Sequence, residues 1–503
     1  MNEAATITEY KQLLLEKDAK IQTLQDELQE LKRLIFGRKS ERFTPAPSLP
    51  AEQLNLFVEH PHQGAQEKTV RQAVPGYERS KGQPRREKLP SDKLPLIEVV
   101  LEIPPELVEG WTKIGEDITE ELDFVPGKFR IIRYIRPRYA RPAAEQRQDP
   151  EAPNILIAPL PSRVIDKGIP SAGLLAHILI SKFLDHLPYY RQVKMFGRIG
   201  MKISPSTING WVARCISLLA VLYERHALRV MEKNYLMADE TKIQVLDDAK
   251  KGKSHTGYFW VYYDPGGKQV LFIYDPGRGG KYPREHLRHF RGWLQTDGYS
   301  VYEAFENTVL ERQLAACMAH VRRKFEHALD NDAERASHVL ELMQQLYAVE
   351  RSAREQELDA PRRLALRQEH ARPVMEELEA WLVANKDKVL PKSKIGQAVQ
   401  YALNRWKYVK RYLDDGQLEI DNNLVENAIR PVALGRKNYL FAGSHEGAKW
   451  AAILYSQISS AANCGHNPFE YLRDVLQRLP DQPLSHLDEL LPPNWVPAKG
   501  IDD

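Results

Sequence analysis

Cysteine is scarce in this chain: Cys215, Cys317 and Cys464 are the only three in 503 residues. They are too few and too scattered for a disulfide framework or a zinc knuckle, which points to a reducing compartment. No run approaches the roughly 18 consecutive apolar residues of a membrane span, and the N-terminus lacks the basic-then-apolar pattern of a secretory signal. The expectation is a cytoplasmic protein with no membrane partner. No G-x-x-x-x-G-K-[ST] loop is present, which argues against ATP-driven work by this chain alone. Net charge is only +3, so the overall balance names no partner. What remains is an ordinary globular composition, 43% hydrophobic and 28% charged, at a length that predicts several domains.

The first segment carries a seven-residue repeat. Ile7, Leu14, Ile21, Leu28 and Ile35 share one position, with Tyr10, Lys17, Leu24 and Leu31 three residues on. That is the apolar seam of a coiled coil, in which Lys17 is a core defect able to fix register or partner number. A homo-oligomer through this seam is expected. Lys32, Arg33, Arg38, Lys39 and Arg42 follow, opposed only by Glu41. Such a run is either a solvated face or a basic fork leaving a dimer toward DNA. Residues 44–92, rich in Pro, Gln, Ser and charge, read as a linker.

From 93 to 160 the pattern is strand-like, with strands expected at 97–101 and 128–139. Between 126 and 147, Lys128 and six arginines, among them Arg130, Arg133, Arg136 and Arg138, face only Glu145. Arginines interleaved with aromatic and β-branched residues suit phosphate contact, so this segment reads as a small β-rich basic DNA-binding domain. Residues 161–230 read as helical. Gly200, then Ser204 and Pro205, give a clean turn and helix start that resembles the second half of a helix-turn-helix, with Ser206, Thr207 and Asn209 facing a groove.

After 231 the chain alternates. Strands are expected at 235–246, 257–264, 269–274 and 292–297, a helix at 284–290 and a fifth strand at 314–318. Three strands joined by Gly-containing turns, then a helix and another strand, match the order of a ribonuclease H-like core. Residues 320–415 read as an all-helical insertion, since an unstructured loop longer than about 15 residues is uncommon. The core resumes over 416–470 and a helical tail follows over 471–503.

Acids stand at three chosen places. Asp239 ends the apolar run Tyr235-Leu236-Met237-Ala238, and Asp297 ends Gly292-Trp293-Leu294-Gln295-Thr296. Glu426 lies in Asp421-Asn422-Asn423-Leu424-Val425-Glu426-Asn427-Ala428-Ile429-Arg430-Pro431, a predicted helix capped by Asp421 or Asn422, buried through Leu424, Val425, Ala428 and Ile429, and ending at Pro431. Acids at two strand ends and on one helix point to a shared metal site. On the residues alone, Glu240 could replace Asp239 as the ligand and Asp421 could replace Glu426, while Asp297 before Gly298 could be a turn residue.

Several long motifs in order resemble the insertion sequence 66 transposases: Ala238-Asp239-Glu240-Thr241, Leu294-Gln295-Thr296-Asp297-Gly298-Tyr299, Cys317-Met318-Ala319-His320-Val321-Arg322-Arg323-Lys324-Phe325, and Glu419-Ile420-Asp421-Asn422-Asn423 through Leu434-Gly435-Arg436-Lys437-Asn438 to Phe441-Ala442-Gly443-Ser444. The likeness runs over about residues 1–495. Its similarity to other DDE recombinases implies that Asp239, Asp297 and Glu426 are the catalytic, metal-binding acids, with His320 an accessory. Arg430, Arg436 and Lys437 are expected to hold DNA phosphates. One departure concerns the family's C-x-x-C pairs: the stretches around Glu109-Gly110-Trp111 and Tyr139-Ala140-Arg141-Pro142 contain no cysteine, so no zinc is expected.

The expected protein is multidomain α/β, with a coiled coil and basic segment over 1–43 leading to a ribonuclease H-like core split into 231–319 and 416–470. It cuts DNA with Mg²⁺ or Mn²⁺ on three carboxylates, first using water and then the freed 3′-OH as nucleophile. Expected partners are double-stranded DNA, both element ends and target, and accessory proteins of the same element, with the protein on the nucleoid when bound. The alternatives are a sequence-specific DNA-binding protein and a degenerate transposase that binds without cutting. A two-carboxylate glycosidase leaves the coiled coil and basic fork unexplained.

Overall fold

Alternation of buried side chains on both faces of β3, Tyr235–Leu246, marks it as the centre of a sheet covered on each side. The computed structural model describes residues 127, 129, 138–140, 155–157, 162–165, 168–246, 253–302 and 311–498, all within the compact unit Phe124–Asp503. The coiled coil, the linker, the strand at 97–101 and Arg130, Arg133 and Arg136 lie outside them. Arg138 falls in β1, Arg138–Ala140, which pairs antiparallel with β2, Ile155–Ile157.

The main sheet has five strands in the order β5-β4-β3-β6-β7: Gln269–Asp275, Ser254–Asp264, β3, Gly292–Thr296 and Arg312–Ala316. β4 runs antiparallel to both β3 and β5, whereas β3, β6 and β7 are parallel. Met237, Ile243, Phe259, Val261 and Phe272 enter one core, and their strand neighbours Leu236, Ala238, Trp260, Tyr262 and Leu271 enter the other. Each fully buried large side chain contributes about 1.5–3 kcal/mol. The five strands expected after residue 231 are present within a few residues. The expected helix at 284–290 instead spans Lys281–His286, and the fifth strand ends at Ala316 rather than 318.

Ahead of the sheet come helices Ala172–Phe183, Tyr189–Arg198 and Pro205–Met231. Gly200 turns with φ +89°, and the Ser204 hydroxyl accepts the Thr207 N–H at 3.1 Å. The Pro205–Met231 helix is long and apolar enough to pass for a membrane span by length and composition. Its Ile208, Val212, Cys215, Leu219 and Leu222 are nevertheless packed into the core that covers the sheet.

After β7 the helical insertion follows: Met318–Glu326, Ala333–Glu355, Ala360–Leu366, a π-helical turn Arg367–Ala371, Arg372–Asn385 and Lys394–Val409. The chain then returns through helices Asn423–Tyr439, His445–Asn463 and Pro468–Arg478. The first of these corrects two expectations. Pro431 lies inside it and Leu424 is exposed, while Val425, Ala428 and Ile429 are buried as expected. Pro431 is tolerated because the carbonyl it leaves without a donor, that of Asn427, belongs to an exposed residue that water can reach.

Candidate active site

Register brings the first two acids together. β3 and β6 pair Tyr235 with Trp293, Leu236 with Leu294 and Met237 with Gln295. Continued two residues along, the same register sets Asp239 beside Asp297, on strands about 4.8 Å apart. Asp297 stands one residue past β6, where its Oδ1 accepts the Tyr299 N–H at 2.8 Å and Gly298 turns the chain with φ +90°. Against that turn, Arg405 of the insertion donates to the Gly298 carbonyl at 2.9 Å and the Tyr401 hydroxyl to the Asp297 carbonyl at 3.3 Å.

The third acid is delivered by a helix fastened to β3 at both ends. Asn422 Nδ2 donates to the Ala238 carbonyl at 3.2 Å, next to Asp239. Beyond Tyr439, the Ala442 N–H reaches the Gln244 carbonyl at 2.8 Å, and the Leu246 N–H returns to Ala442 at 2.9 Å. Between these points Arg436 Nη1 binds the Thr241 hydroxyl and the Lys242 carbonyl. The loop before the helix is equally fixed: Met318 N–H donates to the Ile420 carbonyl, Asn422 N–H to Cys317 Sγ, and Cys317 N–H to the Thr296 carbonyl. Glu426, one turn into the helix, is thereby carried toward the end of β6 and the body of β3, for Asp239 lies within β3 and not at the strand end the sequence suggested.

Electrostatics registers this convergence. Burial pushes the Asp239 carboxyl well above its usual range, helped by the charges of Glu240, Asp297 and Glu426 and opposed by the Glu240 N–H bonded to it. Burial likewise raises Glu426; Arg323 opposes the rise, while Asp421 and Asp297 add to it. Asp239 and Glu426 are thus close enough to other carboxylates to feel their charge.

The two alternative acids are otherwise engaged. Glu240 points to the opposite face of β3, where Arg278 Nε and Nη2 hold its Oε1 at 2.8 and 2.5 Å. Asp421 accepts the Asn423 N–H at 3.0 Å and Asn423 Nδ2 at 2.9 Å, as a turn residue does. Burial raises its pKa, against the hydrogen bonds from Asn423 and Tyr347.

Around the acids, His320 Nε2 lies 3.8 Å from Glu426 Oε1 and Arg323 Nη2 4.0 Å from Glu426 Oε2. Burial lowers the His320 pKa, with Asp297 opposing, so the imidazole is neutral near pH 7. Cys317 Sγ, a ring nitrogen of His320 and a Glu426 oxygen lie within 4.8 Å of one another. Arg430 and Lys437 are exposed on the same helix, whereas Arg436 is tied to β3. Ser206, Thr207 and Asn209 are exposed on the Pro205–Met231 helix, and the first two hydroxyls bond to Ser204. Sequence reasoning did not single out Cys317, Asn422, Tyr401 or Arg405 for the site. Only the Cys317-x-x-His320 spacing carried a local signal.

Family comparison agrees with this frame. The family model described as Transposase IS66 family matches residues 167–450, more than half of the chain, and the IS66 C-terminal element matches 456–492. Residues 23–99 match the description Transposase C of IS166 homeodomain. Among curated relatives, the uncharacterized protein y4qI of Sinorhizobium fredii (strain NBRC 101917 / NGR234) is 33% identical over 98% of this chain and 93% of its own length. The uncharacterized protein y4jD of the same strain is 34% identical over 76% of each. The chain belongs to the IS66 family of transposases.

One expectation is corrected here. Residues 110–140 match the zinc-finger binding domain of transposase IS66, so the inference that zinc has no place in this protein does not stand. That inference rested on missing thiolates alone. The matched segment does hold neither cysteine nor histidine, and the mixed sulfur, nitrogen and oxygen donors Cys317, His320 and Glu426 instead come together beside the acids.

Proposed function

We propose that this transposase cuts and joins DNA with Asp239, Asp297 and Glu426 as a DDE acid set on a ribonuclease H-like core, acting on the ends of its own insertion sequence and on target DNA in the cytoplasm. The observation that carries the reading is the register of β3 and β6, which continued two residues sets Asp239 beside Asp297, together with the bond from Asn422 to Ala238 that brings the Glu426 helix to the same part of β3. The strand order β5-β4-β3-β6-β7 with β4 antiparallel supports the ribonuclease H-like assignment.

The donor set fits hard divalent cations. All three side chains are carboxylates, and Glu426 Oε1 is buried without a hydrogen-bond partner. Mg²⁺ or Mn²⁺ held by Asp239, Asp297 and Glu426 would supply positive charge to the attacking and leaving oxygens of the scissile phosphate. In the first step a water oxygen bonds to phosphorus as the element's 3′ oxygen leaves, giving a 3′-OH and a 5′-phosphate. That 3′-OH then attacks a target phosphodiester, forming the new bond as the target's 3′ oxygen departs. His320, neutral and beside Glu426, is placed to accept a proton. Arg430 and Lys437, with Arg138 and the arginines at 130, 133 and 136, hold phosphates; Ser206, Thr207 and Asn209 reach a groove. The arginine contacts make binding fall steeply with salt.

The test incubates the full-length protein with duplex carrying its own element ends and Mg²⁺ or Mn²⁺, and maps nicks. Asp239→Ala, Asp297→Ala and Glu426→Ala should each bind end DNA near wild-type affinity and cut it at least about a hundredfold more slowly, the scale of losing one transition-state stabiliser. Asp421→Ala and Glu240→Ala should retain more activity than these three. Binding without nicking by the wild type would make this a DNA-binding protein or a degenerate transposase. Near-normal cutting by Glu426→Ala, with none by Asp421→Ala, would move the third acid to Asp421.

A further inference from the structure

The motif Cys317-x-x-His320 has a geometry that goes beyond the proton acceptance proposed for His320, since its thiol takes no part in that chemistry. Cys317 caps the helix Met318–Glu326 and His320 lies in its first turn. Their sulfur and nitrogen converge with a Glu426 oxygen within 4.8 Å. Two of the groups carry buried atoms without a hydrogen-bond partner, His320 Nδ1 and Glu426 Oε1. Cys317 Sγ accepts the Asn422 N–H at 3.2 Å.

We infer that Cys317, His320 and Glu426 form a second, thiophilic metal site that takes Zn²⁺ or a like ion such as Co²⁺ or Cd²⁺, sharing Glu426 with the hard-cation set. Three protein donors of mixed S, N and O character leave a fourth tetrahedral position for water, a common arrangement for zinc and an unsuitable one for Mg²⁺. Bonds of about 2.0–2.3 Å put donors sharing one such ion roughly 3.5 Å apart. Rotation of the His320 and Glu426 side chains, both partly exposed, closes the remaining gap. Binding releases the thiol proton to solvent.

The consequence for catalysis rests on the proposed function: a soft ion on Glu426 withdraws that oxygen from Asp239 and Asp297, so zinc should inhibit cleavage. Binding itself does not depend on that reading.

The experiment titrates Co²⁺ into the full-length, reduced protein and follows sulfur-to-metal charge transfer in the near ultraviolet and d–d bands in the visible. Because residues 110–140 contain no thiol, a thiolate band can arise only from Cys215, Cys317 or Cys464. One equivalent of band is expected, retained in Cys215→Ser and Cys464→Ser and lost in Cys317→Ser. His320→Gln and Glu426→Gln should keep the band with affinity weakened by at least about tenfold, the lower end of what a disturbed metal environment costs. The serine hydroxyl can still accept the Asn422 N–H, so Cys317→Ser should stay folded by circular dichroism and, where cleavage is measurable, cut with Mg²⁺ while losing inhibition by Zn²⁺. Absence of a thiolate band in the wild type, or its survival in Cys317→Ser, would overturn the site whether or not the protein cuts DNA. A band without nicking would uphold this site and count against the proposed function alone.

Discussion

At the scale of single residues, the acids work against the fold that carries them. Burial and the neighbouring carboxylates raise Asp239 well above the ordinary aspartate range. A carboxyl whose folded pKa exceeds its unfolded value adds stability fully below the unfolded value, and that contribution is lost as pH rises through the folded pKa. Without divalent cations, Asp239→Asn should therefore stabilise the protein at pH 7. The gain should shrink as pH falls and vanish below about 4, the usual aspartate pKa. Denaturant melts with chelator present at both pH values check this, and an equal gain at both would show that repacking rather than charge is responsible. The choice between Asp239 and Glu240 was not legible from adjacent letters. It follows from strand alternation, which turns Asp239 toward Asp297 and Glu240 toward Arg278 on the other face. The geometry around Cys317 was hidden for another reason: Glu426 lies more than a hundred residues away and is brought near by the contacts of Met318 with Ile420 and of Cys317 with Asn422.

At the scale of elements, the strands were legible because apolar runs ending in an acid announce a buried strand with a functional tip. The helix bearing Glu426 was legible at its start and not at its end, since the contacts of Ala442 with Gln244 and Leu246 hold it open past Pro431. Least visible was the role of the insertion beyond its first helix, where the charged sequence carried no motif. Its Arg367 is fully buried and binds Glu350 through Nε at 2.7 Å and Nη2 at 2.8 Å, and the Tyr412, Asp415 and Leu418 carbonyls as well. Arg363 links the same glutamate to Glu419. The Glu419 N–H meets the Tyr235 hydroxyl at 3.0 Å and its carbonyl meets Gln295 at 2.9 Å, while Tyr235 also bonds Gln295. The segment leading to Glu426 is thus clamped between insertion and sheet. Burial alone would raise the Glu350 pKa, but Arg367 and Arg363 hold it below the usual range. Arg367→Met should cost about 3–5 kcal/mol, the penalty of stranding a buried charge. Arg367→Met with Glu350→Leu should recover much of that loss. Thermal or urea melts distinguish the two, and a single variant as stable as wild type would show that the clamp contributes little.

For the whole molecule, the elements that carry the three acids of the proposed set, β3, β6 and the helix after Asn422, belong to one chain within the described residues. Moving an element, however, requires action at two ends, and one acid set serves one phosphate at a time. The heptads ahead of the unit offer the means. The heptad spacing of Ile7, Leu14, Ile21, Leu28 and Ile35, with Tyr10, Leu24 and Leu31, is the pattern expected of an apolar stripe that buries little unless a second helix covers it. Lys17 within that stripe lowers stability while restricting register. Deleting residues 6–36 should therefore reduce the mass measured by light scattering at equal concentration. On end DNA, the truncated protein should still nick single ends with Mg²⁺ but join paired ends at least about tenfold less efficiently, because a tether worth a hundredfold or more in effective concentration has been removed. Equal masses for the full-length and truncated proteins would mean that the stripe packs on its own chain and that the two ends are brought together by another route.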